Sequence, residues 1–407
     1  MTKLRKVLLK RDISLIMLVF YGLGNILGAG IYVLIGKVSG IADIYTPFSF
    51  LLAAFIVLFT SLTYAELSSR FPYSAGEALY AKKAFNSKYL SIIIGFMIAL
   101  SGILSSATIL HGFYGYVSTF INIPKTLSSI SLIIILCIIA ILGIAKSVKF
   151  AAVLTCVEIF GLLFILFIGF ENINFNEVSM VNFIPDFKIS IWYTISIGAF
   201  LAFYAFIGFE DMVNIAEEVK EPTKTMPKAI IIALIVSTML YILVTIVSIL
   251  AINPSELSKS VAPLADVYSK LTNKEPILLS FIGMFAVING ALVQIIMVSR
   301  LFYGMGENNW LPKIFSNINE KTRTPIFSTV VASFLVLIFT LWLPIVTLAS
   351  LTSFFIFIIF TLMNLSLIKI KREVPNPEGV LVYPIWIPIV GVIVNVSLLI
   401  IQLFSII

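Results

Sequence analysis

The stretch Gly24-Asn25-Ile26-Leu27-Gly28-Ala29-Gly30-Ile31-Tyr32 decides how this chain is read. It sits in the middle of an apolar run, 14–38, long enough to cross a bilayer. Small residues at such a place serve close helix packing. Two glycines flanking one alanine at mid-membrane also suit local unwinding, which frees backbone N–H groups to bind an anion. A second stretch of the same kind lies far along the chain, Phe203-Tyr204-Ala205-Phe206-Ile207-Gly208-Phe209-Glu210-Asp211. It has a glycine at its centre and two carboxylates directly after. Paired glycine-broken segments, one in each half of a chain, mark the binding site of a membrane transporter. Backbone groups freed by unwinding must face a cavity and not lipid.

Outward from these two stretches, apolar runs recur at 46–69, 88–120, 127–145, 150–170, 190–214, 228–252, 276–303, 325–343, 346–368 and 382–406. With 14–38 they make eleven crossings, and Pro344 separates the ninth from the tenth. The 407 residues are 60% hydrophobic and 12% charged, with a mean hydropathy of +1.10. A soluble domain is about half apolar with about a quarter charged residues, so the bilayer is the natural solvent and the chain reads as an all-α polytopic membrane protein. The basic N-terminal residues precede a run that continues past signal-peptide length without a small-residue cleavage site, so the first helix is expected to be retained. No attached soluble domain is expected, and the apolar-polar pattern of 262–271 suggests a short helix at the outer surface.

Of the 27 Lys and Arg, 21 fall in alternate connections that share a side with the N-terminus. That bias places the N-terminus in the cytoplasm and, with eleven crossings, the C-terminus outside. The basic residues form no single patch, which argues against nucleic acid as the partner of this +7 chain. Cys137 and Cys156 both lie inside apolar runs and give neither a disulfide framework nor metal spacing. No zinc-protease, phosphate-loop or diphosphate motif is present.

Several polar residues lie within apolar runs. Glu158 is the most deeply placed, and a carboxylate there is expected to be neutral, paired or ion-bound. Two readings stand: a coupling group that loads H⁺ or Na⁺, and a neutral side chain hydrogen-bonded to a neighbouring helix. Glu210 and Asp211 are either functional or solvated near a helix end. His111, the one histidine, reads more naturally as a packed imidazole than as a proton relay. Ser105, Ser106 and Thr108 make one face of their helix permissive for a cavity. Asn289 and Gln294 either bond across helices or face the cavity, and Ser299 is a candidate oxygen ligand.

Three separated motifs carry a family resemblance. Gly28-Ala29-Gly30-Ile31 resembles the G-A-G-I/F signature of the amino acid–polyamine–organocation (APC) permeases. Phe206 to Glu210, followed by Ala216-Glu217-Glu218-Val219-Lys220-Glu221-Pro222 and Met226-Pro227-Lys228-Ala229-Ile230, is similar to that family's sixth helix and the loop after it. Ser299-Arg300-Leu301-Phe302-Tyr303-Gly304-Met305 through Leu311-Pro312, with Thr324-Pro325, is similar to its eighth helix and following loop. The match covers about 10–370.

The resemblance implies a LeuT-like fold in one transmembrane domain spanning 1–407. Two inverted five-helix repeats at 14–170 and 190–368 would be followed by an extra, peripheral helix at 382–406. It implies a secondary active permease at the cell membrane, a symporter or antiporter and not an enzyme, that moves an amino acid by alternating access. The substrate-binding residues it implies are Ile26, Gly28, Ala29, Gly30, Phe203, Tyr204, Ala205 and Ile207. Tyr204 would act as a gate, and the carbonyls of Tyr204, Ala205 and Ile207 would receive the substrate ammonium. Gating or coupling falls to Tyr204, Glu158, Glu210 and Ser299, with H⁺ or Na⁺ as the coupling ion and no other cofactor. Several APC permeases carry a lysine at the place of Glu158, so the lysine mechanism does not transfer. Charge pairs among Glu217, Glu218, Lys220, Lys224 and Arg300 would close the inner gate, unless these are solvated loop charges. Alternatives are a transporter of polyamines or other amines, a channel, or an intramembrane enzyme using Glu158, Glu210 and Asp211 in acid–base work.

Overall fold

A computed structural model describes residues 11–73, 76–142, 148–174, 184–322 and 324–406. Lys3, Arg5, Lys6, Lys10, Lys146 and Arg323, six of the 21 basic residues counted on the N-terminal side, lie outside them. All eleven runs fold as helices, and among the described residues the sole β pairing is one isolated bridge between Ile13 and Val219. The first run is broken in two, α1 (Leu15–Ile26) and α2 (Ala29–Ala42). Then follow α3 (Thr46–Arg70), α4 (Gly76–Phe85), α5 (Lys88–Val117), α6 (Lys125–Leu142) and α7 (Val148–Asn172). The second half holds α8 (Ile189–Ala202), α9 (Pro222–Ala251), the short α10 (Pro254–Leu257) and α11 (Pro263–Thr272), α12 (Ile277–Glu307), α13 (Ile326–Trp342), α14 (Ile345–Glu373) and α15 (Trp386–Ile406).

Among the described residues, nine helical runs are long and apolar enough to cross a membrane by length and composition. One of them, Gly30–Arg70, is 41 residues long and carries two crossings, because Asp43 takes a left-handed conformation (φ 52°) and turns the chain. Ile326–Trp342 is slightly shorter than the rest, which completes the eleven. Between α13 and α14, Leu343 is extended and Pro344 starts the next helix, so the proline breaks the run where expected. The outer connection contains α11, one residue from the expected 262–271.

Two features depart from the sequence reading. The connection 70–87 holds α4, too short to cross, which buries Glu77, Tyr80, Ala81 and Ala84 on one face at helical spacing. The expected sixth span, 190–214, ends as an α-helix at Ala202. From there it continues as tight 3₁₀ turns over Phe203–Phe206 and Glu210–Glu218.

The core is a packed set of helices with lipid-type apolar side chains outside. α3 lies along α9 and α8, while α5 lies along α12, α13 and α14. The two breaks are enclosed between these groups. Arg70 at the end of α3 meets the carbonyls of Val374 and Pro375 at the end of α14, and Lys369 lies over the Phe85 ring at the end of α4; this end of the bundle is called here the basic end.

Candidate functional site

The first break is short. Leu27 stays near helical geometry (φ −74°, ψ 0°) and Gly28 (φ −61°, ψ −134°) turns the chain before Ala29 resumes the helix. The first amides of α2 therefore have no acceptor within their own helix, and its dipole points positive toward the break. The second break is long. Ile207 is extended (φ −64°, ψ 134°) between the two 3₁₀ segments, and Gly208 has φ +128°, a conformation that L side chains rarely adopt. Glu210 accepts the Gly208 amide through Oε2 at 2.8 Å and so closes this turn on itself.

Glycines hold the two breaks against each other. A Cβ on Gly30 would collide with Cα and Cβ of Ala205, and one on Gly208 would lie 2.7 Å from the Asn25 carbonyl. The Tyr241 hydroxyl on α9 reaches carbonyls of both breaks, Ile26 O at 2.6 Å and Ala205 O at 2.8 Å. Its ring is fixed edge-on against Phe50 and Phe206.

Between the breaks lies a cavity of about 30 Å³, lined by Asn25, Ile26, Gly28, Gly30, Ser105, Ile109, Tyr204, Ile207, Gly290, Val293 and Gln294. That is space for roughly two waters, so the centre is closed. A second cavity of about 20 Å³ shares Ser105, Ile207 and Gln294 with it and adds Glu77, Glu210, Asp211 and Asn214. Gln294 donates to Asp211 at 3.4 Å, and Tyr64 donates to Glu77 at 3.1 Å. Burial raises the Glu77 carboxyl, on the non-spanning α4, above the ordinary carboxylate range.

Five of the eight expected substrate residues, Ile26, Gly28, Gly30, Tyr204 and Ile207, line the first cavity together. Ala29 opens α2. Ala205 packs behind the cavity against Gly30. Phe203 turns away and stacks on Phe357, with ring centroids 3.8 Å apart. The Tyr204 hydroxyl lies 3.0 Å from Ser105 Oγ and also donates to the Ser105 carbonyl at 3.1 Å. Two of the three carbonyls expected to receive an ammonium are already engaged: Tyr204 O accepts from the Ile207 amide and Ala205 O from Tyr241.

The gating and coupling residues are dispersed. Glu158 is fully buried on α7; Asn289 on α12 donates to its Oε1 at 3.2 Å, and Oε2 has no hydrogen-bond partner among the described residues. It lines neither cavity, so the structure does not bring it together with Glu210 and Asp211 as acid–base work would require. The Ser299 hydroxyl is bound to Thr329 on α13 at 2.7 Å, outside both linings. His111 Nε2 sits 3.0 Å from the Leu343 carbonyl at the α13–α14 break, a partner that suits packing. In the loop after the second break, Lys224 pairs with Glu221 at 3.7 Å, both exposed, and the Glu217 side chain lies outside the described part. Backbone bonds from Ile13 to Glu218 and from Lys220 to Ile13 tie the N-terminal segment to this loop.

Sequence reasoning missed Tyr241 and Glu77. A lone tyrosine in the apolar run 228–252 was the available signal for the first. The second had none, since its helix was read as a connection.

A helix bundle that crosses the membrane repeatedly and encloses two facing helix breaks around one central cavity defines a LeuT-like permease fold. The amino acid permease family model matches residues 13–406, and the chain belongs to that family, within the APC superfamily. It is 26% identical over 386 residues to cationic amino acid transporter 3, mitochondrial, of Arabidopsis thaliana, covering 89% of this chain and 62% of that protein. It is 26% identical over 392 residues to the branched-chain amino acid permease BcaP of Bacillus subtilis (strain 168), covering 90% and 82%. It is 27% identical over 401 residues to the methylthioribose transporter of the same organism, again covering 90% and 82%. The chain thus spans less than two thirds of the plant relative's length.

Proposed function

We propose that this protein is a secondary active transporter of amino acids that works by alternating access in the cell membrane, with its basic end toward the cytoplasm. The observation that carries this reading is the meeting of both helix breaks at one cavity. The α2 N-terminus offers amides and a positive dipole to a carboxylate, and the carbonyls beside Tyr241 suit an ammonium group once that hydroxyl yields. Each of the repeats 14–170 and 190–368 contributes one break to this point. Relatives named as cationic and branched-chain amino acid carriers support the substrate class. A second reading, a substrate with a cationic side chain or a free amine, is favoured by Glu77, Glu210 and Asp211 lining the second cavity, called inner because it reaches α4 at the basic end, with no basic residue among its lining side chains.

Coupling runs through Glu158, whose depth and unpartnered oxygen suit a group that takes up H⁺ or Na⁺. The test is counterflow in proteoliposomes, with labelled leucine, lysine and putrescine each loaded against an excess inside. Saturable accumulation of one amino acid is expected, and none with any substrate would overturn transport. In Glu158→Gln, gradient-driven uptake should vanish while exchange survives. An unchanged pH and Na⁺ profile there would return Glu158 to a structural role.

A further inference from the structure

The last helix reads from sequence as a peripheral addition, yet it is joined to the bundle by buried charge. Glu66 on α3 is fully buried and meets two cations. Lys371 on α14 reaches both its oxygens at 2.7 and 2.8 Å, and Arg70 reaches Oε1 through Nε at 2.9 Å and a terminal nitrogen at 2.7 Å. The side chains of Arg70 and Lys371 are themselves buried. Two cations against one carboxylate leave an excess positive charge, and backbone carbonyls answer it. Arg70 donates to Val374 O at 2.8 Å and Pro375 O at 3.0 Å, where α14 ends and its dipole is negative. Lys371 donates to Tyr383 O at 2.6 Å. The link between α14 and α15 also gives its amides to α3: Tyr383 N to Glu66 Oε2 at 2.9 Å and Leu381 N to Ser69 Oγ at 3.2 Å.

A second, independent set of bonds joins the same three helices deeper in the bundle. Thr63 donates to Asn364 Oδ1 at 2.6 Å, and Asn364 donates to Thr60 at 3.0 Å. Asn395 on α15 donates to Thr60 at 3.2 Å. Gly391 permits the approach, since a Cβ there would sit 2.5 Å from Asn364 Oδ1. Buried ionic and amide groups in apolar surroundings strongly disfavour separation, because each would be left unpaired.

We propose that α3, α14 from Asn364 onward and α15 move as one rigid body through the transport cycle, clamped by Glu66, Arg70 and Lys371. α14 is then not an independent gate at the basic end. The inner cavity, whose wall includes Phe360 just before the clamped part, must open by displacement of α1, α5 or α12 away from this body. The proposal rests on the transport reading, and its test separates the two. In a background with Cys137 and Cys156 replaced by serine, Thr63→Cys and Asn364→Cys are combined and oxidised to a disulfide. Wild-type uptake establishes transport; undiminished uptake by the oxidised variant supports the rigid body. Loss of uptake on oxidation, restored by reductant, overturns it. Spin labels at the lipid-facing positions Leu51 on α3 and Ile400 on α15 read the same question without uptake and without the disulfide. Their distance distribution is expected to be the same with and without saturating substrate and to broaden in Lys371→Met. A substrate-dependent shift overturns the rigid body, and an unbroadened distribution in Lys371→Met overturns the clamp.

Discussion

The two helix breaks perform paired tasks but are built differently. The first turns at Gly28 between two regular helices and leaves room around that residue: a Cβ there would meet only the Ala286 carbonyl, at 3.9 Å. The second spends 3₁₀ turns on either side of Gly208, whose positive φ and contact with Asn25 leave no room at all. The first break therefore presents an open backbone to the cavity, and the second is a strained piece held shut by its neighbours. A substitution should damage the two by different routes, one through ligand binding and the other through the fold.

The largest effect is expected at Gly208. Gly208→Ala places a side chain at φ +128° and against the Asn25 backbone, which costs about 1–3 kcal/mol for the conformation alone and a similar amount for overpacking. Lowered thermal stability in detergent together with lost uptake is the expected outcome, read by unfolding temperature and proteoliposome transport. Gly30→Ala, facing the Ala205 backbone, should behave alike. A stable, active Gly208→Ala would erase the distinction between the breaks.

Gly28 should respond in the opposite sense. The structure leaves space for a Cβ at Gly28, so the loss on substitution by valine comes from filling the cavity that Gly28 lines. Gly28→Val is expected to keep its unfolding temperature and lose substrate-induced thermal stabilisation, because a ligand that no longer binds the folded state no longer stabilises it. A drop in stability as large as that of Gly208→Ala would show that both breaks are structural.

The spans and both glycine clusters were legible in the sequence because they depend on local composition: an apolar run, a glycine, a proline at 344. Where the second break begins was not, because Phe203 to Phe206 is as apolar as any helix, and the α-helix ends at Ala202 in a stretch whose Ala205 packs on the distant Gly30. Tyr241 and the Glu66–Lys371 pair were hidden for another reason. Their partners lie far off in the chain, 305 residues apart for the ion pair, and periodicity carries no information about which distant helices meet. Glu158 stood out by depth alone, but the partner of its carboxyl among the described residues, Asn289, emerged only from the packing of α7 on α12.

A smaller effect separates the neighbouring aromatics of the second break. Phe203→Ala removes a ring stacked on Phe357 and should destabilise the fold by about 3–5 kcal/mol, with transport affected only through the amount of folded protein. Tyr204→Ala opens the cavity wall and should raise the Michaelis constant in folded protein. The reverse pattern would move the gate one residue toward Phe203.

The finest test is Tyr204→Phe, which keeps the ring and removes one hydroxyl. That hydroxyl connects the second break to α5 through Ser105 Oγ and the Ser105 carbonyl. A neutral hydrogen bond of this kind contributes about 0.5–1.5 kcal/mol net, so a change in apparent affinity of about tenfold or less is expected. Its direction carries the information. If the tether holds the cavity shut, Tyr204→Phe eases opening and exchange speeds up while affinity falls. If the hydroxyl instead faces bound substrate, affinity falls with no gain in rate. Counterflow rate and Michaelis constant measured on the same proteoliposomes decide between them, and Ser105→Ala should reproduce the first pattern but not the second.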